Sequence, residues 1–263
     1  MPKESLYVIK IGGNIIDDEQ QLAAFLQAYA ILPGKKILIH GGGKLATKLA
    51  ADLNVSQQMV DGRRITDAET LKIVTMVYAG YINKNIIAQL QNLKMNAIGL
   101  TGADGNIILA SKRVHPTIDY GWVGDVEKVN DEFLKSFLDQ EITVVIAPIT
   151  HNGQGSLLNT NADTIAQEIA TAMAKHYAVQ LVFSFEKTGV LTDLDDDKSV
   201  IPVLSKSLYK QYQSEHKIFA GMIPKLDNAF TAIEKGVDKV FIGKAEQLEN
   251  LITGKTGTTL THE

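Results

Sequence analysis

The sequence contains no cysteine, which excludes a disulfide framework, a thiolate metal site and a thiol nucleophile. It has no long apolar run: no stretch approaches the roughly twenty residues that span a bilayer. The opening Met1-Pro2-Lys3-Glu4-Ser5 carries mixed charge ahead of a short strand-like run, without the apolar core of a signal peptide. Positive charge is not in excess either. With 26 Lys and Arg against 30 Asp and Glu, no global field attracts nucleic acid or an anionic membrane. Any anionic substrate must therefore be held by local groups. The expected compartment is the cytoplasm, with neither nucleic acid nor membrane as partner. The six histidines form no ligand-spaced pair, so no protein-held metal is expected.

Several familiar phosphate and calcium signatures are also missing. Gly254-Lys255-Thr256 looks like the end of a Walker A loop, but Glu249 stands where its first glycine is required. Gly153-Gln154-Gly155 lacks a third glycine, with Leu158 in its place. Asp193, Asp195 and Asp197 imitate the start of an EF-hand, yet Lys198 and Leu204 occupy the positions that need Gly and Glu. That acidic run reads as a solvated turn.

What remains is an ordinary globular composition, 45% apolar and 21% charged over 263 residues, enough for one large α/β domain or two packed lobes. Apolar runs of strand length alternate with segments of helical period, the pattern of a largely parallel sheet covered by helices, an α/β fold of three αβα layers. The strand expectations are Leu6–Ile11, Lys36–His40, Ala97–Leu100, Ile142–Ala147, Val179–Ser184 and Lys239–Ile242. Helices are expected over Glu19–Ile31, Lys44–Leu53, Asp67–Leu93, Asp131–Leu138, Ala162–Lys175, Pro224–Lys235 and Ala245–Ile252. Asp104–Val129 reads as hairpins and Thr188–Ser205 as irregular structure. The lobe boundary falls near Asn161–Ala166, dividing the chain into residues 1–165 and 166–263. Within Asp67–Leu93, Ile73, Val74, Met76, Val77 and Tyr78 leave almost no polar face, so this helix needs partners on more than one side. It is either sandwiched in its own lobe or shared with a second subunit.

Two glycine-rich turns carry the chemistry. Val8-Ile9-Lys10-Ile11-Gly12-Gly13 delivers a lysine and two glycines at a strand's carboxyl end, where ligands bind in parallel sheets. Lys10 lies in an apolar strand, so it either finds an anionic partner or snorkels past the strand end. Ile39-His40-Gly41-Gly42-Gly43-Lys44 passes straight into a helix, and three glycines there form a nest of N–H donors for a phosphate or carboxylate. Asn159-Thr160-Asn161-Ala162-Asp163 also has the spacing of an N-cap cluster for the helix that starts at Ala162.

These segments, with Asp61-Gly62-Arg63-Arg64-Ile65-Thr66-Asp67 and Gly221-Met222-Ile223-Pro224-Lys225, follow the order and spacing of the acetylglutamate kinases, which the chain resembles along nearly its whole length. The resemblance implies a two-lobed amino acid kinase fold and ATP-dependent phosphorylation of the γ-carboxylate of N-acetyl-L-glutamate, or a related N-acylglutamate, in arginine biosynthesis. Magnesium would arrive bound to the nucleotide. Lys10 and Lys225 would stabilise the phosphoryl group in flight, and Asp163 would hold both. Arg64 would grip the α-carboxylate, Asn159 the acylamino group, and Gly42 and Gly43 the attacking carboxylate or the γ-phosphate. Gly12, Gly13, Gly189, Gly221 and Met222 would border the nucleotide. The sequence departs from the family pattern at Phe185-Glu186-Lys187, beside the nucleotide. A first strand that begins by Leu6 leaves no room for the N-terminal helix of hexameric, arginine-inhibited members, so a homodimer without arginine inhibition is expected. The alternatives are another kinase of the superfamily, such as glutamate 5-kinase or carbamate kinase, or a non-catalytic effector-binding module on the same fold.

Overall fold

In a strand buried on both faces, successive side chains enter opposite layers, and such strands are apolar throughout. The computed structural model, which describes residues 3–60, 63–193, 195–218 and 222–261, is built on six parallel strands, of which the inner ones are of this kind. Along the chain, β1 (Ser5–Ile11) leads through a short helix α1 (Gly13–Ile16) to α2 (Glu19–Ile31), β2 (Lys35–His40) and α3 (Gly43–Asp52). An antiparallel pair follows, β3 (Gln58–Val60) and β4 (Arg63–Ile65). Next, α4 (Ala68–Thr75) runs through a π-helical stretch, Met76–Ile82, into α5 (Asn83–Asn92) and β5 (Ala97–Leu100). The middle of the chain is β6 (Ile108–Lys112), β7 (Val123–Val129), α6 (Asp131–Leu138), β8 (Thr143–Ile146), β9 (Ile149–His151) and β10 (Leu157–Thr160). The last part comprises α7 (Ala162–Met173), β11 (Ala178–Phe185), β12 (Val203–Ser205), α8 (Lys206–Ser214), α9 (Ile223–Glu234), β13 (Lys239–Lys244), α10 (Leu248–Ile252) and β14 (Thr258–Thr261).

Eight strands make one sheet in the order β12-β14-β13-β11-β1-β2-β8-β5. The six from β13 to β5 are mutually parallel, while β14 runs antiparallel to β13. Its two faces carry two cores. Leu6, Val8, Ile37, Ile39, Leu181 and Phe183 pack with α6, α7 and α9 on one side; Ile9, Ile11, Leu38 and Val182 pack with α2, α5 and α10 on the other. The three-layer αβα arrangement expected from the alternation of runs is what forms. The expected hairpin region Asp104–Val129 contains β6 and β7, which close with β9 and β10 into a four-stranded barrel. This barrel stands beside the carboxyl ends of β5 and β8, because β9 follows β8 after only two residues. The long helix Asp67–Leu93 forms, though interrupted by its π-helical stretch. Among the described residues no helix is long and apolar enough to cross a membrane.

Candidate active site

The period of two along β1 decides where Lys10 points. Leu6 and Val8 enter the core layer that contains α7, and Lys10, two positions on, shares their face. Asn161 caps α7 by accepting from the backbone N–H groups of Asp163 (2.8 Å) and Thr164 (3.1 Å). That cap fixes the first turn and aims Asp163 at β1. The cap reading holds for Asn161, and its neighbour Asp163 is left free of the cap to face β1. Asp163 Oδ1 lies 2.8 Å from Lys10 Nζ in an ion pair. Oδ2 accepts from Lys225 Nζ at 2.6 Å.

Lys225 comes from the first turn of α9, behind Pro224, where the helix dipole opposes a cation. Asp163 offsets that, and the Phe183 ring lies under the ammonium with its centroid 4.9 Å away. Burial pushes the Lys225 ammonium below its ordinary pKa, against the pull of Asp163. Burial would raise the Asp163 carboxyl, but the charges of Lys10 and Lys225 overcome it and hold the group well below the usual carboxylate range. One carboxylate between two cations stays ionised at any physiological pH.

The two glycine turns lie side by side above this triad. A Cβ on Gly41 would lie 3.7 Å from the Gly13 nitrogen, and one on Gly13 would lie 4.0 Å from the Gly43 nitrogen. Gly42 adopts φ 144°, and a Cβ there would come within 2.2 Å of Ile82 Cδ1, so only glycine fits. Among the described residues no side chain caps α3, so its first N–H groups point into the space beside the turn with the helix dipole behind them.

Gly42, Gly43, Arg64 and Asn159 line one cavity of about 210 Å³. All four residues expected on the acceptor side meet there. Arg64 is 8% exposed and donates to Gly43 O (3.0 Å), Thr47 Oγ1 (2.9 Å) and Gln57 Oε1. Asn159 Nδ2 donates to Thr66 Oγ1 at 3.0 Å, tying the barrel strand β10 to the segment after β4. Two further lining residues, Arg113 and Tyr78, were not among the expected site residues, Tyr78 having been read only as part of an apolar helix. Arg113 projects from the β6–β7 connection and is locked bidentately on Asp125. Tyr78 reaches the cavity from the π-helical stretch, and burial raises its phenol pKa.

On the other side of the glycine turns the picture is more dispersed. Gly189 packs tightly: a Cβ there would meet Val200 Cγ2 at 2.6 Å and Thr258 Oγ1 at 2.7 Å. Met222 is 8% exposed and belongs to the core against α9. Gly221 lies outside the described residues, as do Asp61 and Gly62 of the Arg64 segment. Glu186 accepts from Asn14 Nδ2, and Asn14 Oδ1 accepts from Lys44 Nζ. Among the described residues, Asp131, Glu132 and His176 form a group with converging ligand atoms. It lies near the far end of α7 from Asp163, roughly 18 Å along the helix, and Lys175 already occupies Asp131 at 2.5 Å.

A model of the amino acid kinase family matches residues 5–244. An acetylglutamate kinase of Cytophaga hutchinsonii is 56% identical over 250 residues, covering 95% of each chain. One of Parabacteroides distasonis is 54% identical, over 93% of this chain and 96% of its own. A solved structure from Streptococcus mutans UA159, smu.665, superimposes with a TM-score of 0.78 at 26% identity, over 98% of this chain and 99% of that one.

Proposed function

The chain belongs to the amino acid kinase family, and from that premise we propose that it phosphorylates the γ-carboxylate of N-acetyl-L-glutamate, or a related N-acylglutamate, with ATP in arginine biosynthesis. The observation that carries this reading is the Lys10, Asp163 and Lys225 triad beside two facing glycine turns and an arginine-lined acceptor cavity.

In-line transfer needs little covalent chemistry from the protein. A γ-carboxylate oxygen bonds to the γ-phosphorus as the bond to the β,γ-bridging oxygen breaks, and ADP leaves with that electron pair. Charge spreads over the transferring oxygens meanwhile. Lys10 and Lys225 meet it from two directions, and Asp163 keeps them from repelling each other apart. Since Asp163 is committed to two ammonium groups, magnesium enters on the nucleotide's phosphates, where it neutralises charge as part of the substrate. Arg64 presents a guanidinium to the α-carboxylate, and Asn159 serves the acylamino group. The Gly42 and Gly43 N–H groups serve the attacking carboxylate or the γ-phosphate. Gly12 and Gly13 serve the nucleotide's phosphates, with Gly189, Gly221 and Met222 along its border.

On this reading residues 1–165 bind the acylglutamate and residues 166–263 bind ATP. The enzyme works in the cytoplasm as a homodimer. Coupled ADP release tests the function: turnover should require an N-acylglutamate, and comparing the N-acetyl and N-succinyl substrates identifies the acyl group. Release driven by unacylated glutamate or carbamate would move the chain to another branch of the family. ATP binding without turnover on any of them would leave an effector-binding module.

A further inference from the structure

Lys44 and Glu186 have no part in the reaction as described. The structure joins them through Asn14. Lys44 follows the Gly41–Gly43 turn at the start of α3, Asn14 follows the Gly12–Gly13 turn in α1, and Glu186 follows the end of β11. Lys44 Nζ donates to Asn14 Oδ1, and Asn14 Nδ2 donates to Glu186 Oε2. A primary amide suits this place, because one end accepts from an ammonium while the other donates to a carboxylate. The second carboxylate that faces Lys44 is Asp17, one turn beyond Asn14. Lys44 and Glu186 are both exposed, so neither is needed to fill a core.

Charge decides what this arrangement is for. Lys10, Lys225 and Asp163 sum to a single positive charge, which even with the nucleotide's magnesium falls short of matching a triphosphate that passes along both glycine turns. Lys44 stands beside those turns, and its exposed ammonium is held by the dipole of an amide rather than by a direct ion pair, a contact that a phosphate oxygen outcompetes. Glu186, from the other half of the sheet, sets a carboxylate on the far end of the same amide.

We propose that Lys44 is a third phosphate-binding cation, oriented by Asn14, and that Glu186 is a resident anion that the nucleotide's triphosphate displaces. This rests on the kinase reading for ATP as the ligand, and is independent of which acceptor is used.

Titrating ATP·Mg calorimetrically into the protein without acceptor tests the proposal. Lys44→Met should weaken binding roughly tenfold to hundredfold, the range for a lost hydrogen bond to a charged group, and Lys44→Arg should restore most of it. Glu186→Gln should tighten binding by roughly two- to fivefold, as for an exposed charge pair. In the Lys44→Met background the Glu186→Gln change should have a smaller effect than in the wild type, since Glu186 and Lys44 are coupled through Asn14. KM for the acylglutamate should not move in any of these variants, and thermal midpoints without nucleotide should stay at the wild-type value. Unchanged affinity in Lys44→Met overturns the assignment, as does weaker binding in Glu186→Gln or simple additivity in the double variant. If the wild type binds ATP but turns over no acylglutamate, the acceptor reading falls while the four affinities still decide this one; if it binds no ATP, both fall.

Discussion

At the scale of single residues, the proposed roles separate by which kinetic constant they move. Lys10 and Lys225 share a carboxylate at rest and are proposed to gain their full interaction only as the phosphoryl group transfers. Lys10→Met and Lys225→Met should each lower kcat by roughly two decades while changing substrate KM much less; near-normal kcat in either would remove that lysine from the mechanism. Arg64 is held by Gln57, Gly43 and Thr47, and its proposed ligand is bound before and after transfer alike. Arg64→Lys keeps the charge but loses the fork, so KM for the acylglutamate should rise with KM for ATP unchanged. A fall in ATP affinity alone would place Arg64 against the nucleotide.

His40 gives the pH dependence. Its Nδ1 can only donate to Gly41 O (2.9 Å), so Nε2 accepts from Asn83 Nδ2 (3.3 Å) in the neutral ring. A second proton would set two donors against each other in a fully buried site, with Lys84 nearby. Burial and that lysine lower the pKa from 6.5 to about 4, although the Gly41 carbonyl favours the charged form. The unfolded chain therefore binds the extra proton at a higher pH than the folded one. Stability from this residue is complete above about pH 6.5 and is lost as pH falls toward 4, by on the order of 3 kcal/mol. Urea denaturation from pH 7 to 4.5 should show a steeper loss in the wild type than in His40→Asn; parallel curves would mean that His40 takes up its proton in the folded state.

At the scale of elements, the site depends on how one helix starts and another is interrupted. Gly42 opens α3 at φ 144° with Ile82, the last residue of the π-helical stretch, against it. Gly42→Ala should cost about 2 kcal/mol or more from backbone strain and overpacking together, and should raise acylglutamate KM as the N–H nest shifts. Denaturation at the wild-type midpoint would show that the turn tolerates a side chain. The same π-helical stretch turns Val77 and Tyr78 inward and leaves Met76 and Tyr81 exposed by 53% and 62%. Sequence periodicity showed a helix with almost no polar face; packing divides that surface between the lobe's own core and the outside.

At the scale of the whole molecule, that outer face is the proposed dimer contact. Leu71, Thr75 and Met76 border an open apolar groove with Trp122 and Leu157, a surface that a monomer would leave in water. Light scattering should give twice the chain mass of 28.7 kDa, and Met76→Asp should halve it. A wild-type monomer would assign the helix wholly to its own lobe.

All six parallel strands were legible in the sequence, because a strand covered on both faces must be apolar at nearly every position. Lys10 was legible as an anomaly within one of them. The barrel strands β9 and β10, the pair β3 and β4, and the strands β12 and β14 at one end of the sheet were not: each is only three or four residues long, too short to show a period of two. Helix α8 was missed because Tyr209 is its one buried residue. The glycine turns were legible by composition alone, and the structure sets them side by side. Which cation meets which carboxylate was decided by tertiary structure, since Lys10, Asp163 and Lys225 lie on three elements that touch only once α7 packs on β1 and α9 packs on α7. Local residues can determine that a buried lysine needs a partner; only the packing of whole elements determines that the partner is Asp163 and that a second lysine shares it.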